Sequence, residues 1–483
     1  MVVFNERDYR NRVLGCWIGK NIGGTIGAPF EWKRQVNDVT FYTHALDGNP
    51  LPNDDLDLQL LWLIALEEKG IHLDARALAE YWQLFITPHW AEYGIAKINM
   101  KQGLMPPLSG SYENPYKDSC GAYIRSEIWA CIAPGLPELA ARYAYEDAIV
   151  DHGHGEGTYA ELFFAALESA AFVESDIREL ISIGLSYIPV DCGIARAVRD
   201  VLAWHREGKS WREARDLLLT HHRGRYTLWA GISEEDRAKG FADGPVGYDA
   251  PSNIGITVIG LLYGEGDFAK TMRITVNCGE DTDCTAATAG SVLGLIRGAD
   301  AIPDEWIKPI GRSIKTACLN LGELGSFGNQ LPADVDELTD RTLRIAKQVL
   351  LARGKGVEID AHRATDLSDL ETGKLYAKDQ GRAIYDRPEG PVYKFGTLDV
   401  TVDYGEEPTI RSGEPKTIRL LLRNNYKAVE MWNVQVFGPS GLAVLPSAQA
   451  KVMTHTVMPE ARLLKLELVL DRAALINRFV IQL

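Results

Sequence analysis

Hydrophobic positions along the first 350 or so residues recur mostly with the spacing of helices. LDLQLLWLIALEEKG (56–70), DARALAEYWQLFI (74–86), YAELFFAALESAAFV (159–173) and VDELTDRTLRIAKQVLLARG (335–354) place apolar side chains three and four apart, which predicts amphipathic or buried helices. Breaker residues separate such runs, as at Gly103 to Pro107 and Gly240 to Gly247. Near residue 355 the period changes to two. TLDVTVDY (397–404), KTIRLLLRN (416–424), MWNVQVFG (431–438) and RLLKLELVL (462–470) nearly alternate in polarity, with Gly, Pro, Asn and Ser turns between them. That is the pattern of a sandwich-type β unit. The polar stretch 355–390 reads as linker or irregular structure. The expected protein is therefore mainly α: an all-α domain over 1–354, a linker over 355–390, and a small β-sandwich-like accessory domain over 391–483. The plain role for the last is packing or oligomerisation, so a homo-oligomer formed through it is an open expectation.

Glycine breaks the helical pattern in two places. Gly15, Gly19, Gly23 and Gly27 fall four apart, as do Gly290, Gly294 and Gly298. On a helix that spacing draws one narrow stripe. Each interior Gly costs about 1 kcal/mol relative to Ala, so a row of them needs a packing reason, such as close approach of another backbone. Both stripes adjoin acid-rich motifs, which points to a tightly built centre. Helix contact without any chemistry is the plainer reading of the same stripe.

Composition narrows the classes. At 483 residues two domains are expected, and 46% apolar with 24% charged residues is ordinary for a globular protein. A formal charge of −15 argues against a nucleic-acid surface. It does not exclude a phosphorylated or nucleotide-like small molecule, because a bound divalent cation reverses the local sign. Cysteines 16, 120, 131, 192, 278, 284 and 318 are scattered without a CxxC, which is reduced, cytoplasmic usage. MVVFNERDYRNR has no apolar core of a signal peptide, and no run of about 18 apolar residues predicts a membrane span.

The candidate chemistry is carboxylate chemistry. In PNDDLDLQLLWL (52–63), Asp54, Asp55 and Asp57 open an apolar helix behind Asn53. One such Asp is ordinary as a cap. Three within four residues repel one another, and a hard divalent cation is the usual reason to tolerate them. NCGEDTDCTAATAGSVLGLIRG (277–298) repeats the theme with Glu280, Asp281 and Asp283. If the two helix starts converge, four carboxylates surround a site for one or two Mg2+ ions, and the oxygen-only ligand set disfavours zinc. Weaker signals are Glu31 at the end of GTIGAPFEW, the two histidines of DHGHGEG (151–157), and DSCGAYIRSEIWACIAPG (118–135). This last is a Gly turn into a helix whose N–H groups would suit a phosphate.

The order and spacing of these pieces resemble the ADP-ribosylglycohydrolase family over about residues 9 to 350. RVLGCWIGKNIGGTIGAPFEW is similar to the family's Gly-rich helix ending in Gly-x-x-Glu. Asn53-Asp54-Asp55-Leu56 is similar to its Thr-Asp-Asp-Thr motif, and Ser119 to Arg125 to its Gly-Asn-Gly-Ala-x-x-Arg helix start. Asp151-His152 stands for a Thr-His motif, and Asn277 to Cys284 for Asn-x-Gly-Gly-Asp-Thr-Asp-Thr, the most specific of the set. The resemblance implies a compact all-α domain with a centre of two Mg2+ ions. It implies metal ligands at Asn53, Asp54, Asp55, Asp281 and Asp283, and catalytic carboxylates at Glu31, Asp55 and Asp283. Substrate contacts would come from Gly121, His152 and Asn277, with His152 near the ribose or a phosphate. Three departures stand out: Asn53 and Cys284 replace threonines, and Cys120 replaces an asparagine, with Asp118 close by.

The implied activity is hydrolysis at the anomeric carbon of an ADP-ribosyl or related ribose-like group, on a small molecule or an ADP-ribosylated partner. Two alternatives stay open: a glycoside or nucleoside hydrolase acting on a furanoside without ADP, and a non-catalytic member that keeps the fold to bind a ligand.

Overall fold

The computed structural model describes all residues except 32, 34, 224–247, 320–329, 355, 379–383, 388–389, 427 and 456–460, so the predicted turn at Gly240 to Gly247 lies outside the described residues. The helices that frame the acidic motifs are α1 (Glu6–Gly27), α2 (Asp54–Lys69), α3 (Ala91–Lys101), α4 (Glu156–Ala170), α5 (Ala250–Gly264), α6 (Thr282–Arg297) and α7 (Val335–Arg353). Around them one continuous apolar core runs from Val2 to Ile384, with Trp17, Trp62, Trp82, Trp129 and Trp306 fully buried in it. No helix among the described residues is long and apolar enough to cross a membrane.

The glycine stripes pair with each other. α1 and α6 lie antiparallel with their backbones in contact. An ideal Cβ on Gly15 would stand closer than 3.0 Å to the carbonyl oxygen of Gly294, one on Gly19 to that of Gly290, one on Gly23 to that of Ala286, and one on Gly27 to that of Thr282. The register continues to Gly298, where a Cβ would strike the Asn11 amide. Four glycines against two glycines and two small-residue turns bring two whole helix backbones together. The dispersion gained along that contact offsets the helix propensity lost. The Thr282 hydroxyl then donates to the Gly27 carbonyl at 2.8 Å. The end of α1 is thereby laid against the first turn of α6, and the residues after α1 are delivered to the acids that open α6.

The chain start is tied to a distant segment. Val2–Asn5 (β1) pairs in parallel with Val357–Asp360 (β2), and Val2, Val3 and Phe4 are buried. Where polar composition predicts linker or irregular structure over 355–390, the structure therefore holds a strand, a short 3-10 turn at Thr372–Lys374, and buried side chains at Leu375 and Ile384. The few apolar residues in that stretch are anchors, spaced too far apart to show a period.

Beyond it, among the described residues, eight strands form two antiparallel sheets. β3 (Val392–Phe395), β4 (Leu398–Asp403), β5 (Lys416–Asn424), β9 (Arg462–Leu470) and β7 (Leu442–Leu445) are adjacent in that order. β10 (Val480–Gln482), β6 (Glu430–Phe437) and β8 (Gln449–Thr454) make the second sheet. Alternate residues Leu398, Val400 and Val402 of β4, Ile418, Leu420 and Leu422 of β5, and Val434 and Val436 of β6 form a separate core between them. The region meets the helical body through ion pairs of Arg387 and Lys394 with Glu146, and of Lys394 with Asp74.

Candidate metal centre

Asn53 starts the site by capping α2: its Oδ1 accepts from the Asp55 N–H at 2.7 Å. The cap fixes Asp54 and Asp55 in the first turn, where the helix dipole favours negative charge. Gly24 of α1 makes room, since a Cβ there would collide with the Asn53 amide nitrogen. The cap takes one of the two lone pairs of the oxygen expected as a metal ligand. Asp57, the third acid of the motif, faces elsewhere and accepts from the N–H groups of Ala317 and Cys318, both at 2.6 Å. It clamps that loop, and burial still pushes its carboxyl up to about 6.

Asp281 occupies the N-cap position of α6 and Asp283 its first turn. Asn253 of α5 supports the turn by accepting from the Asp281 N–H at 3.2 Å. Glu31 comes in along the segment after α1. That segment is fastened to 276–280: Glu280 N–H donates to the Lys33 carbonyl at 3.3 Å, and the Asn37 N–H to the Asn277 carbonyl at 3.0 Å. Gly279 has φ +74, and a side chain there would collide with the Lys33 and Gln35 carbonyls. Asn277, expected to touch substrate, instead spends both ends of its amide on Val39. Its Oδ1 accepts from Val39 N–H at 2.7 Å and its Nδ2 donates to the Val39 carbonyl at 3.1 Å. It therefore positions the segment that carries Glu31.

The two acidic helix starts do converge. Ligand atoms of Asp55, Asp283 and Cys284 lie within 4.8 Å of one another, and so do those of Glu31, Asp281 and Asp283. Asp283 belongs to both groups. Asp55, Asp281 and Asp283 are buried, whereas Glu31, Asp54 and Cys284 are partly exposed and mark the open side. Tyr93 of α3 donates to Asp54 Oδ2 at 3.4 Å, and the Cys120 thiol donates to Asp281 Oδ2 at 3.0 Å.

Electrostatically the centre is strained without a cation. Burial raises Asp54 to about 7, helped by Asp283 and Asp57. Burial also raises Glu31 to about 9, with the charges of Asp283, Asp54 and Asp55 adding to it. Asp55 and Asp281 are pushed well above the carboxylate range, again chiefly by burial. Among the described residues, both oxygens of Asp55, a residue 1% exposed, and Oδ1 of Asp281 have no hydrogen-bond partner. A buried carboxylate left this way costs several kcal/mol unless positive charge faces it. The residues present thus fit a divalent cation. The buried Lys20 is a partial counter-charge that lowers Asp55, but it is bonded to Glu127 Oε1 at 2.7 Å and to the Ile124 carbonyl at 2.6 Å. Its signal in the sequence is a lone Lys inside the glycine-striped helix.

The other two expected substrate residues form a neighbouring cluster. His152 is fully buried, with Nε2 3.1 Å from the Ser119 hydroxyl and Nδ1 3.0 Å from Asp151 Oδ1, the latter an off-line contact rather than an aligned hydrogen bond. The ring is thus enclosed by protein groups. Glu92, His152 and Asp151 bring their ligand atoms within 4.8 Å of one another. Gly121 lies over this cluster, and a Cβ on it would strike the Glu92 carboxylate. After the Gly turn come a 3-10 turn, Tyr123–Arg125, and then the expected helix, Glu127–Ile132. Arg125, fully buried, holds the turn by donating to the Gly121 carbonyl at 3.0 Å, to Asp147 at 3.0 Å and to Asp151 at 2.6 Å. Asp118 faces the start of α4, where it accepts from the Glu156 N–H at 2.8 Å. Glu92 was not visible as a site residue because it sits in the first turn of α3, far in sequence from every motif.

Comparison with known proteins gives three findings. Residues 5–346 match the model of a family described as ADP-ribosylglycohydrolase. No curated protein matches the sequence. Among solved structures, one described as "ADP-ribosylglycohydrolase-related protein complex" is similar at 19% identity and a TM-score of 0.45, covering 70% of this chain and 99% of that one.

Proposed function

The chain belongs to the ADP-ribosylglycohydrolase family, and from that premise we propose a divalent-metal-dependent hydrolase that cleaves the glycosidic bond at the anomeric carbon of an ADP-ribosyl or related ribose-like group. Family membership supports glycosidic-bond hydrolysis. The observation that carries the metal dependence is Asp55, whose two buried oxygens have no partner among the acids of two helix starts. Asp54, Asp55, Asp281 and Asp283 would hold the cations, proposed as two Mg2+ ions. When bound, such cations supply Lewis-acid polarisation and an anchor for vicinal hydroxyls.

The chain's own groups divide the remaining work. Glu31, on the open side, would take a proton from the attacking water. Held at about 9 by burial and its three acidic neighbours, its carboxyl becomes a base at neutral pH only where positive charge sits beside it. Gly121 lets the 119–125 turn lie close to Glu92, and Arg125 fixes it. The seven cysteines are free thiols, which supports a reducing, cytoplasmic setting.

A second reading is a related furanoside without ADP. It is favoured by Cys120, which directs its thiol to Asp281 where the family's ligand turn carries an asparagine. The test is turnover of arginine- and serine-linked ADP-ribose and of a nucleoside panel, with Mg2+ and with EDTA. Release of ADP-ribose only with Mg2+, abolished in a folded Asp283→Asn variant, is expected. A fully active Asp283→Asn would sink the scheme, and release of base from nucleosides alone would select the second reading.

A further inference from the structure

Exposed apolar side chains crowd onto the β-sandwich. Of the 18 large hydrophobic residues exposed among the described residues, 11 lie within 391–483, which is 93 of the chain's 483 residues. Concentrated apolar surface of this kind is where another molecule docks. From its arrangement we propose that the outer face of the β10-β6-β8 sheet is a dimerisation surface, and that its occupant is the same face of a second copy of this chain.

Alternation along the strands separates the two faces of that sheet. Val434 and Val436 of β6, Val452 of β8 and Ile481 of β10 point into the sandwich core, so their neighbours along each strand point out. The register sorts the outward residues into four rows across the strands. Met431 stands beside Met453 in the first row, and Phe437 beside Val480 in the last. Between them Asn433 stands beside Lys451, and Gln435 between Gln449 and Gln482. The four apolar residues are 44–62% exposed. Apolar pairs therefore close both ends of the face, and amides fill its middle.

That order, apolar then amide, amide then apolar, is the same from either end. A two-fold axis that sets β6 antiparallel to β6 of a second copy brings the Met431 row of one against the Phe437 row of the other. The amide rows then meet, and the Lys451 ammonium donates to glutamine carbonyls of the second copy. Self-complementarity of this sort is what a two-fold dimer requires. Electrostatics selects the same face. A formal charge of −15 makes most surfaces of two copies repel, whereas the outward side chains of this sheet include one lysine and no acid.

Area sets the expected strength. A stable interface takes about 800 Å2 from each partner. Three strands about 4.8 Å apart, along the eight residues of β6 at about 3.4 Å each, present roughly 400 Å2. The exposed Tyr426 and Val429 precede β6 at the Met431 end, and the exposed Leu475 and Ile476 lie in the turn that leads into Val480 at the other. The two-fold arrangement adds both sets to the same contact. A contact at the small end of the stable range gives a dimer that depends on concentration.

Sedimentation velocity of the full-length chain across micromolar concentrations tests this. A monomer–dimer equilibrium is expected. Met431→Lys and Phe437→Glu should each weaken the dimer by at least about tenfold. Position 431 of one copy faces position 437 of the other, so the double variant should regain most of that loss. Leu351→Glu, at a residue 92% exposed on α7, should leave the equilibrium unchanged. Circular dichroism checks that each variant folds, and the concentration series of the wild-type chain decides the matter without any variant. A chain that stays monomeric throughout, a dimer that neither single variant weakens, or a double variant no tighter than the singles overturns the proposal. So does a monomer that floats with phosphatidylcholine vesicles, which would give the face to a lipid surface.

Discussion

Gly19 and Gly290 face each other with no space for a methyl group on either side: an ideal Cβ on one would lie closer than 3.0 Å to the carbonyl oxygen of the other. This contact sets the register of α1 against α6 and, two turns further on, lays Gly27 against Thr282. The position of Glu31 relative to Asp281 and Asp283 is a consequence of that register. Gly19→Ala is expected to cost about 3 kcal/mol, at the upper end of overpacking because the obstacle is backbone. Urea unfolding measures it. Gly373, around which an added Cβ meets nothing within 4 Å, is the control, and Gly373→Ala should change stability by less than about 0.5 kcal/mol.

Asp55 and Asp57 are two residues apart and should respond to mutation in opposite ways. Asp57→Ala leaves the N–H groups of Ala317 and Cys318 without their acceptor, a loss of about 1–3 kcal/mol. Asp55→Asn removes a buried carboxyl that has no hydrogen-bond partner among the described residues and whose counter-charge, Lys20, is bonded to Glu127, so the metal-free variant should be at least as stable as wild type at pH 8. It should also gain none of the thermal shift that Mg2+ or Mn2+ gives wild type. An equal shift in both proteins would remove Asp55 from the ligand set.

Metal affinity should rise with pH across the neutral range. Asp54 titrates at about 7 and Glu31 at about 9 without a cation, both raised by burial, and a protonated ligand must lose its proton to bind. The linked stability has the opposite sign. A carboxyl whose folded value is raised stabilises the metal-free fold at low pH, and that contribution is lost as pH rises through the folded value. Melting temperature of the EDTA-treated protein should therefore fall from pH 5 to pH 9, and added Mg2+ should flatten the slope. A metal-free melting temperature independent of pH would contradict this.

The contact between the helical body and the sheets carries a different pH signature. Glu146 is lowered by Lys394 and Arg387 against the opposing effect of burial. Its contribution is present above the ordinary glutamate value of about 4.3 and is lost as pH falls through the lower folded value. Arg387 and Lys394 are about one third or more exposed, so screening limits the pair to about 1 kcal/mol. Glu146→Gln should lower stability by that amount at pH 7 and by progressively less as pH falls below about 4, as measured by denaturant titration.

The legible parts of the molecule are those in which one local rule decides the outcome. Helices observed at Asp54–Lys69, Ala75–Phe85, Glu156–Ala170 and Val335–Arg353, and strands at Leu398–Asp403, Lys416–Asn424, Glu430–Phe437 and Arg462–Leu470, fall where apolar spacing places them. The short strands Val392–Phe395, Leu442–Leu445 and Val480–Gln482 carry too few residues to show a period. The glycine stripes pointed to close packing but could not name their partner, because register is set only when both helices are present. The acids of the centre were legible as clusters. The work of Asn277 and Asp57 was not, since each is engaged by backbone groups of a distant segment whose position depends on the whole fold, whereas the Asn53 cap is local. Glu92 and Lys20 enter through long-range contacts for the same reason.

The central claim is that the acids gathered by α1, α2 and α6 bind an ADP-ribosyl group through divalent metal. Calorimetric titration of ADP-ribose into the full-length protein, with Mg2+ and then with EDTA, tests it most directly. The account predicts saturable binding with Mg2+ that disappears on chelation and in Asp283→Asn. Mg2+ bound to the protein with no heat from ADP-ribose would contradict the claim and shift the substrate to a different furanoside.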